Sequence, residues 1–390
     1  MNLDFLRPLY EQAGGHVSVY LDTSRGHEEG VQQVELRWRD ARARLASRGV
    51  GELTLDAVAA AITPAGLAAP GRAVFARDGR VLLTEALPAA PRREITRLAV
   101  LPHVMPLLAQ RSPHVAHLRV TARHDGGEVL AVRASGTAYD EEVAGTGWPV
   151  HKTGLGGWAQ KRYENSTEEA WELNAKELAA QVTAMAGQVG AELILLAGDP
   201  QARTLLLRQL SHDLAAATVT IDEEITADSP AAAQAAARAV AGHVAQRSRE
   251  RFGHWRTQQA HQRGVAGLAA TVAALRDGAV AELLIADHPE STATAWVGPG
   301  GTELAVSADE LAARGVQDPV TDRADAAIVR ALATTSAQLY FLPDQGPGEP
   351  GRRDLRRARG AGRAAPDEGA IQPPEDGICA LLRYPADAVG

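Results

Sequence analysis

The chain is built from short stretches in which apolar residues alternate with polar ones or form brief apolar runs. Such stretches predict β-strands, and a pair of them joined by Asp78-Gly79 predicts a β-hairpin over residues 72–84. The remaining predicted strands are residues 17–21, 115–123, 128–134, 193–197, 218–221, 280–286, 338–342 and 378–384.

Other stretches repeat their apolar or charged residues at the helical period. The clearest has Trp171, Leu178, Val182, Met185 and Val189 on one face. It follows residues 166–169, Ser-Thr-Glu-Glu, which have the form of a capping box and predict the helix start. The other predicted helices are residues 28–47, 200–210, 231–251, 265–275 and 324–334.

Two prolines, Pro102 and Pro106, argue against a regular helix over residues 98–108. The order of the elements predicts an α/β protein of three domains, which fits a chain of 390 residues. We expect an N-terminal domain over residues 1–112, a central domain over 113–226 and a C-terminal domain over 227–390. The Gly-, Pro- and Arg-rich residues 344–376 predict a flexible loop in the last domain.

The composition limits the classes of function. A net charge of -8 argues against a protein that coats nucleic acid non-specifically, although a local basic patch stays open. The single cysteine, Cys379, excludes a disulfide framework and a cysteine-based zinc site, and predicts a reducing, cytoplasmic setting. We find no secretory signal and no apolar run long enough to predict a membrane span, and we expect no cofactor.

One segment, residues 151–163, concentrates unusual residues. Three glycines, Gly154, Gly156 and Gly157, lie within four positions there. Such a turn leaves backbone N–H groups uncovered and can bind an anion, but it lacks the Gly-Lys-Ser/Thr of a nucleotide P-loop. Spacing alone leaves a flexible surface loop equally open.

The residues around these glycines suit RNA. His151, Lys152, Lys161 and Arg162 bracket them, and the three lysines of the whole chain all fall within residues 152–176. Cations beside exposed N–H groups suit phosphate, and Trp158 next to the glycines suits stacking on a base, with packing on its own domain as the alternative. The Gln160 amide can orient a water molecule or donate to an oxyanion.

Together these residues resemble a known motif. Gly156-Gly157-Trp-Ala-Gln160-Lys161-Arg162, preceded by Lys152 and followed by a long helix, resembles the GGQ loop of the archaeo-eukaryotic class-one peptide-chain release factors. The segment resembles even more closely the corresponding loop of the bacterial relatives of these factors, the Balon-like ribosome hibernation branch. This branch is also related to Vms-type peptidyl-tRNA hydrolases. The resemblance extends over the order of the three domains and implies a C-terminal domain of the L-seven-Ae type.

The resemblance implies a protein that occupies the A site of idle ribosomes as a hibernation or stress factor. The loop would enter the peptidyl-transferase centre, and elongation factor Tu and tRNA become candidate partners. Gly156 and Gly157 would allow backbone approach, Trp158 would stack and Gln160 would make a polar contact. The candidate RNA-binding residues are His151, Lys152, Gly154, Gly156, Gly157, Trp158, Gln160, Lys161 and Arg162.

The main alternative is an enzyme, a peptidyl-tRNA hydrolase that rescues stalled ribosomes, with Gln160 as its catalytic residue. In the terminating factors glutamine directly follows the two glycines, whereas Trp158 and Ala159 intervene here, which argues against hydrolysis. Residues 1–112 contain no lysine and no Asn-Ile-Lys-Ser, which argues against stop-codon decoding. A third hypothesis has no ribosome in it: the C-terminal domain is a small-RNA or protein-interaction module, and the glycine loop is a connector.

Three further groups carry weaker signals. Six arginines within residues 352–363 suit rRNA phosphate, although a solvated loop is the simpler interpretation. The histidines His114, His117 and His124 lack a metal-binding motif, so we expect no metal. Residues 140–142 (Asp-Glu-Glu) predict a solvated acidic turn before the glycines, and residues 222–224 (Asp-Glu-Glu) mark a hinge into the last domain.

Overall fold

The structure is a computed structural model, and it describes most of the chain. The described residues are 1–12, 14–24, 30–62, 69–111, 115–133, 138–144, 158–221, 230–342 and 374–385, with the backbone alone described at residues 30, 138–144, 158–168, 230–233 and 375.

The protein is of the mixed α/β class, as predicted. Its helices are α1 (Gly30–Ala46), α2 (Glu52–Ile62), α3 (Met105–Arg111), α4 (Trp158–Val189), α5 (Pro200–Gln209), α6 (His212–Ala216), α7 (Pro230–Gln259), α8 (Leu268–Arg276), α9 (Ala308–Ala312) and α10 (Ala324–Thr335). Short 3₁₀ helices cover Asp4–Leu9 and Glu375–Gly377.

The strands form four sheets. They are β1 (His16–Asp22), β2 (Gly71–Arg77), β3 (Arg80–Leu87), β4 (Ile95–Ala99), β5 (His117–Arg123), β6 (Gly126–Val132), β7 (Ala138–Ala144), β8 (Leu193–Gly198), β9 (Thr218–Thr220), β10 (Gly264–Ala266), β11 (Val280–Ile285), β12 (Thr294–Val297), β13 (Leu304–Ala305), β14 (Val320–Arg323), β15 (Gln338–Phe341) and β16 (Ile378–Leu382). The strand orders are β3-β2-β1-β4, β7-β6-β5-β8-β9, β10-β16-β11-β15 and β13-β12-β14.

The chain folds into two compact units. Unit one contains residues 1–112 and 245–390, and unit two contains residues 113–244. Helix α7 begins in unit two and ends in unit one, so one helix carries the chain from one unit to the other.

Unit two is a five-stranded sheet with the long helix α4 packed on one face. Strand β5 is paired antiparallel to β6 and parallel to β8. Leu178, Val182 and Met185 of α4 are buried against the sheet, and Val189 packs at the margin of the same cluster. The apolar helix face predicted from the 3.6-residue period is therefore confirmed.

Unit one joins the two ends of the chain through a shared core. Leu3, Leu6 and Leu9 of the first 3₁₀ helix are buried in the same cluster as residues of α10 such as Leu332. The Met1 amino group donates to the Leu339 carbonyl oxygen at 2.8 Å, and the Leu339 N–H donates to the Met1 carbonyl at 3.0 Å. Residues of the predicted first and third domains thus bury their apolar surface against one another.

Buried ionic groups tie these two chain segments together. Asp322 accepts a hydrogen bond from the Arg97 guanidinium and a second one, at 2.9 Å, from the Leu101 N–H. The Asp322 side chain is 2% exposed. A carboxylate buried to this degree is held by its partners, because removing them would leave an uncompensated charge.

The strand predictions are confirmed, including the hairpin with Asp78-Gly79 at its turn, where both residues have positive φ. The prediction of no regular helix over residues 98–108 holds for residues 98–104 and is wrong from Met105 onward. Pro106 is the second residue of α3, where a first-turn proline has no helical N–H to lose. The predicted helix over residues 265–275 starts late. Its first residues pair as β10, and Gly267, with φ +81°, separates this strand from α8.

Candidate functional site: the start of helix α4 and its anchor

The predicted RNA-binding residues fall at the edge of what the structure describes. His151, Lys152, Gly154, Gly156 and Gly157 lie outside the described residues. The backbone of the other candidates is described and is helical: Trp158, Gln160, Lys161 and Arg162 all lie in the first turns of α4.

The start of α4 corrects two predictions. The capping-box start at residues 166–169 is wrong, since the helix already begins at Trp158 and Ser166 lies inside it. Residues 158–163, predicted as part of the glycine loop, are helical for the same reason. Trp-Ala-Gln-Lys-Arg-Tyr contains no glycine or proline, so the helix extends back to the last glycine of the segment.

The helical period separates these four positions into two groups. With about 3.6 residues per turn, positions 158, 161 and 162 lie within an arc of about 100°, and position 160 lies about 150° from the middle of that arc. Position 160 is eleven residues before Trp171, which places both on one line along the helix. The aromatic and basic positions therefore share one side of α4, and Gln160 is on the other.

Trp171 anchors α4 to the sheet. Its ring stacks on the His124 imidazole with the centroids 3.8 Å apart and the planes 27° apart. The Asn174 side-chain amide donates to the His124 carbonyl oxygen at 2.8 Å. At a rise of about 1.5 Å per residue, Trp158 lies about 20 Å along the helix from this anchor.

Asp199 completes the anchor from the neighbouring strand. Its carboxylate lies 3.1 Å from His124 Nε2 and caps α5 by accepting from the Gln201 and Ala202 N–H groups at 2.8 and 3.0 Å. Burial acts to raise the pKa of the Asp199 carboxyl, but the two backbone N–H groups and the charges of His124 and Arg203 outweigh it. The pKa therefore lies below its ordinary value, and Asp199 is an anion at neutral pH.

Two glycines allow these elements to approach closely. A Cβ on Gly127 would lie 2.6 Å from the Thr121 carbonyl oxygen and 2.7 Å from Leu178 Cδ2 of α4. Gly198 has φ +106°, and a Cβ there would lie 2.1 Å from the Ala122 carbonyl oxygen. The helix can cross the β5–β6 hairpin at this distance because residue 127 has no side chain.

The other candidate groups have structural surroundings or lie outside the described residues. The buried His117 places Nδ1 2.8 Å from the Val115 carbonyl oxygen, and within the described ranges no three His, Cys, Asp or Glu side chains are arranged to hold a metal ion. The acidic turn predicted at residues 140–142 is wrong, because these residues lie in β7, paired with β6. The structure does not describe His114, residues 222–224 or residues 352–363. It also does not describe residues 344–373 of the predicted flexible loop.

Sequence reasoning missed the anchor as a unit. His124 was considered as a metal ligand and Trp171 as a core residue, and their contact spans 47 positions of sequence. One signal was present: Asp199-Pro200 before a helical stretch is a helix-start signature, which predicts that the Asp199 carboxylate sits at the sheet edge.

With the geometry of unit two established, its relatives can be named. Residues 116–263 match the family model described as bacterial archaeo-eukaryotic release factor family 2. This part of the chain is therefore similar to the bacterial release-factor-like proteins. The matched residues contain the glycine segment, the whole of α4 and its anchor.

Relatives of full length and solved structures are also similar. Two sequences named "Uncharacterized protein", Rv2629 and MT2704, from two strains of Mycobacterium tuberculosis, are each 29% identical over 399 residues, covering 99% of this chain and 98% of theirs. A chain of the ribosome-bound archaeal Pelota and ABCE1 model covers 98% of this chain and 94% of its own length, at 13% identity and a TM-score of 0.39. The match with Dom34 of S. cerevisiae covers 76% of this chain and 76% of the Dom34 chain, at 10% identity and a TM-score of 0.37.

Within the described ranges, no helix combines the length and the apolar character needed to cross a bilayer.

Proposed function

We propose that this protein binds the ribosome in the manner of a release factor and occupies the A site of idle ribosomes as a hibernation or stress factor in the cytoplasm. The observation that carries the proposal is the release-factor match of residues 116–263, which contains both the glycine segment and the helix that follows it. In this function the segment enters the peptidyl-transferase centre, where Gly156 and Gly157 allow close approach to RNA.

The basic and aromatic residues make the RNA contacts. Lys152, Lys161 and Arg162 neutralise rRNA or tRNA phosphates, and Trp158 stacks on a base. The shared arc of positions 158, 161 and 162 supports this assignment, because one surface of RNA can meet all three. Elongation factor Tu is the proposed delivery partner.

The experiment is cosedimentation of the purified protein with bacterial ribosomes, vacant or carrying peptidyl-tRNA, over a series of salt concentrations. We expect tight binding to vacant ribosomes. The double variant Lys161→Glu with Arg162→Glu should bind more weakly, and the slope of log K against log salt should fall by about 1.5, since two phosphate contacts are lost.

A matched charge reversal provides the control. Arg39 and Arg80 are exposed arginines of unit one, and Arg39→Glu with Arg80→Glu changes the net charge by the same amount. This control should bind as the wild type does. Equal weakening in both double variants would show that only net charge matters, and no binding to either ribosome preparation would exclude the proposal.

The second candidate function is peptidyl-tRNA hydrolysis in ribosome rescue, with Gln160 positioning the water. The Gln160 side of α4 is separate from the Trp158 side, and two residues intervene between Gly157 and Gln160, so this function has less support. It predicts that Gln160→Ala abolishes release of labelled peptide from stalled complexes while ribosome binding stays intact. Release by the wild-type protein at a catalytic rate would replace the A-site proposal with this one.

A further inference from the structure

Unit one contains a cavity with a volume of about 100 Å³ between elements from the two ends of the chain. Tyr10 and His16 line it from the N-terminal side, and Gly298, Pro299 and Arg330 line it from the C-terminal side. At about 30 Å³ for each water, the volume holds about three water molecules or one small ion of similar size.

Arg330 places a buried positive charge in the wall. The residue is 5% exposed, and its Nη1 and Nη2 atoms donate to the Gly298 and Glu303 carbonyl oxygens, each at 2.8 Å. Among the described residues, no carboxylate oxygen lies within 4.0 Å of the Arg330 guanidinium, so Arg330 has no ion pair there. Burial lowers the pKa of Arg330, and the opposing electrostatic effects of Tyr10, Glu303 and Asp322 do not offset it.

Two polar atoms of these lining residues have no partner. Arg330 Nε and Tyr10 Oη are buried and make no hydrogen bond within the described ranges. A buried polar atom without a partner is unfavourable, and a bound water, ion or ligand is one of the ways in which such an atom is satisfied. The neighbouring His16 is not available, since its ring nitrogens lie 2.8 and 2.9 Å from the Val100 and Leu9 carbonyl oxygens.

The nearby acidic groups are accounted for. Asp322 is held by Arg97 and the Leu101 N–H, and the Glu303 carboxylate accepts from the Gly300 N–H at 2.7 Å. Asp318, which is exposed, is the one carboxylate among the lining residues. Among the described lining residues, Arg330 thus contributes a positive charge without a paired carboxylate, and Arg330 and Tyr10 each have one unpaired polar atom.

We propose that this cavity is a binding site for a small oxyanion of the phosphate type, held by the Arg330 guanidinium and the Tyr10 hydroxyl. The ion would supply the missing acceptor to both groups and the missing negative charge to one of them. All residues that line the cavity belong to unit one and none belongs to α4, so the inference does not depend on ribosome binding.

The test uses the full-length protein and inorganic phosphate as the probe. Binding is measured by isothermal titration calorimetry and by the shift in Tm at pH 7, with sodium chloride at matched ionic strength as the reference. We expect phosphate to raise Tm and chloride to leave it unchanged. Equal effects of the two salts would mean that the cavity holds only water, and would overturn the proposal.

Tyr10→Phe is the decisive variant. It removes one unpaired buried hydroxyl, so the ligand-free variant should be as stable as the wild type or more stable, while Kd for phosphate should rise tenfold or more, about the effect of one hydrogen bond to a charged group. Tyr384→Phe makes the same chemical change at a half-exposed tyrosine and should bind phosphate normally. Unchanged binding in Tyr10→Phe would show that phosphate binds elsewhere.

Asp318→Asn tests the charge at the cavity from the opposite direction. Asparagine tolerates the φ of +49° at this position, and removal of the negative charge should lower Kd for phosphate severalfold. A rise in Kd would contradict an anion site. Arg330→Met should abolish binding, and if that variant fails to fold, the Tyr10 and Asp318 variants still decide.

Discussion

The two units hold their elements together by different means. Unit one joins distant chain segments through a shared apolar core crossed by buried ionic groups such as Arg97–Asp322. Unit two holds α4 with an apolar helix face and with the polar cluster of His124, Trp171 and Asp199. The difference indicates that unit one depends on buried ionic partners as well as its apolar core, whereas unit two depends mainly on the apolar face of one helix and the glycine that accommodates it.

The largest expected effect is in unit one. Asp322→Ala leaves the Arg97 guanidinium and the Leu101 N–H without their acceptor, and should lower the free energy of unfolding of unit one by about 3–5 kcal/mol. Hydrogen exchange read by mass spectrometry should show faster exchange in β1, β4 and α10 and little change in β5 and β8.

The exposed ion pair Arg42–Asp56 is the control for this variant. The Asp56 side chain is 68% exposed and lies 2.9 Å from Arg42, so Asp56→Ala should cost at most about 1 kcal/mol. Equal costs for the two aspartates would remove the distinction drawn between buried and exposed ionic groups.

The corresponding change in unit two is Leu178→Ala. Leu178 is 1% exposed and packs over Gly127, so the cavity should cost about 2–5 kcal/mol, confined to unit two. Leu173→Ala on the same helix, at a side chain that is 51% exposed, should cost little. Urea denaturation of both variants, with hydrogen exchange to assign the unit, checks the prediction; loss of protection in unit one would contradict it.

Acid should weaken unit one through Asp325. Burial acts to raise the pKa of this carboxyl, but hydrogen bonds from His103 and Arg323 outweigh it and hold the pKa well below its usual range. A lowered pKa in the folded state means that the contribution is complete at neutral pH. It is lost progressively as the pH falls from about 5, through the unfolded pKa of about 3.9, toward the lower folded pKa.

Asp325→Asn removes this titration. Between pH 7 and pH 3 the wild type should lose about 1.3 kcal/mol more stability than the variant does. Chemical denaturation of both proteins at several pH values measures the difference. Parallel pH profiles would show that Asp325 does not titrate differently in the folded and unfolded states.

The smallest expected effect is at the anchor of α4. Trp171→Leu keeps an apolar side chain but removes the stack on His124, which should cost about 1 kcal/mol. Amide exchange should speed up a few-fold in α4 near Trp171 and stay unchanged near Met185. Faster exchange along the whole helix would contradict a local effect, because it would mean that the anchor also supports the packing of α4 on the sheet near Met185.

The sequence predicted local structure well where one period dominates. The apolar positions of α4 from Trp171 to Met185 identified the helix and its buried face, and Asp78-Gly79 identified a hairpin turn. The start of α4 was predicted eight residues late because Ser166-Thr-Glu-Glu has the form of a cap in any context, whereas the helix continues through it. Pro106 was taken as a helix breaker because its place within the first turn of α3 depends on where that helix starts.

The sequence by itself determined the mixed α/β class, most strands and helices, and the glycine-rich segment with its neighbouring cations, because each of these is a property of adjacent residues. Only the tertiary structure decided which surfaces meet. The core shared by Leu6 and Leu332, the Asp322 contacts and the His124–Trp171–Asp199 cluster join residues that are distant in sequence. A periodic pattern shows that a face is buried but carries no information about its partner, and that partner is set by packing the whole chain.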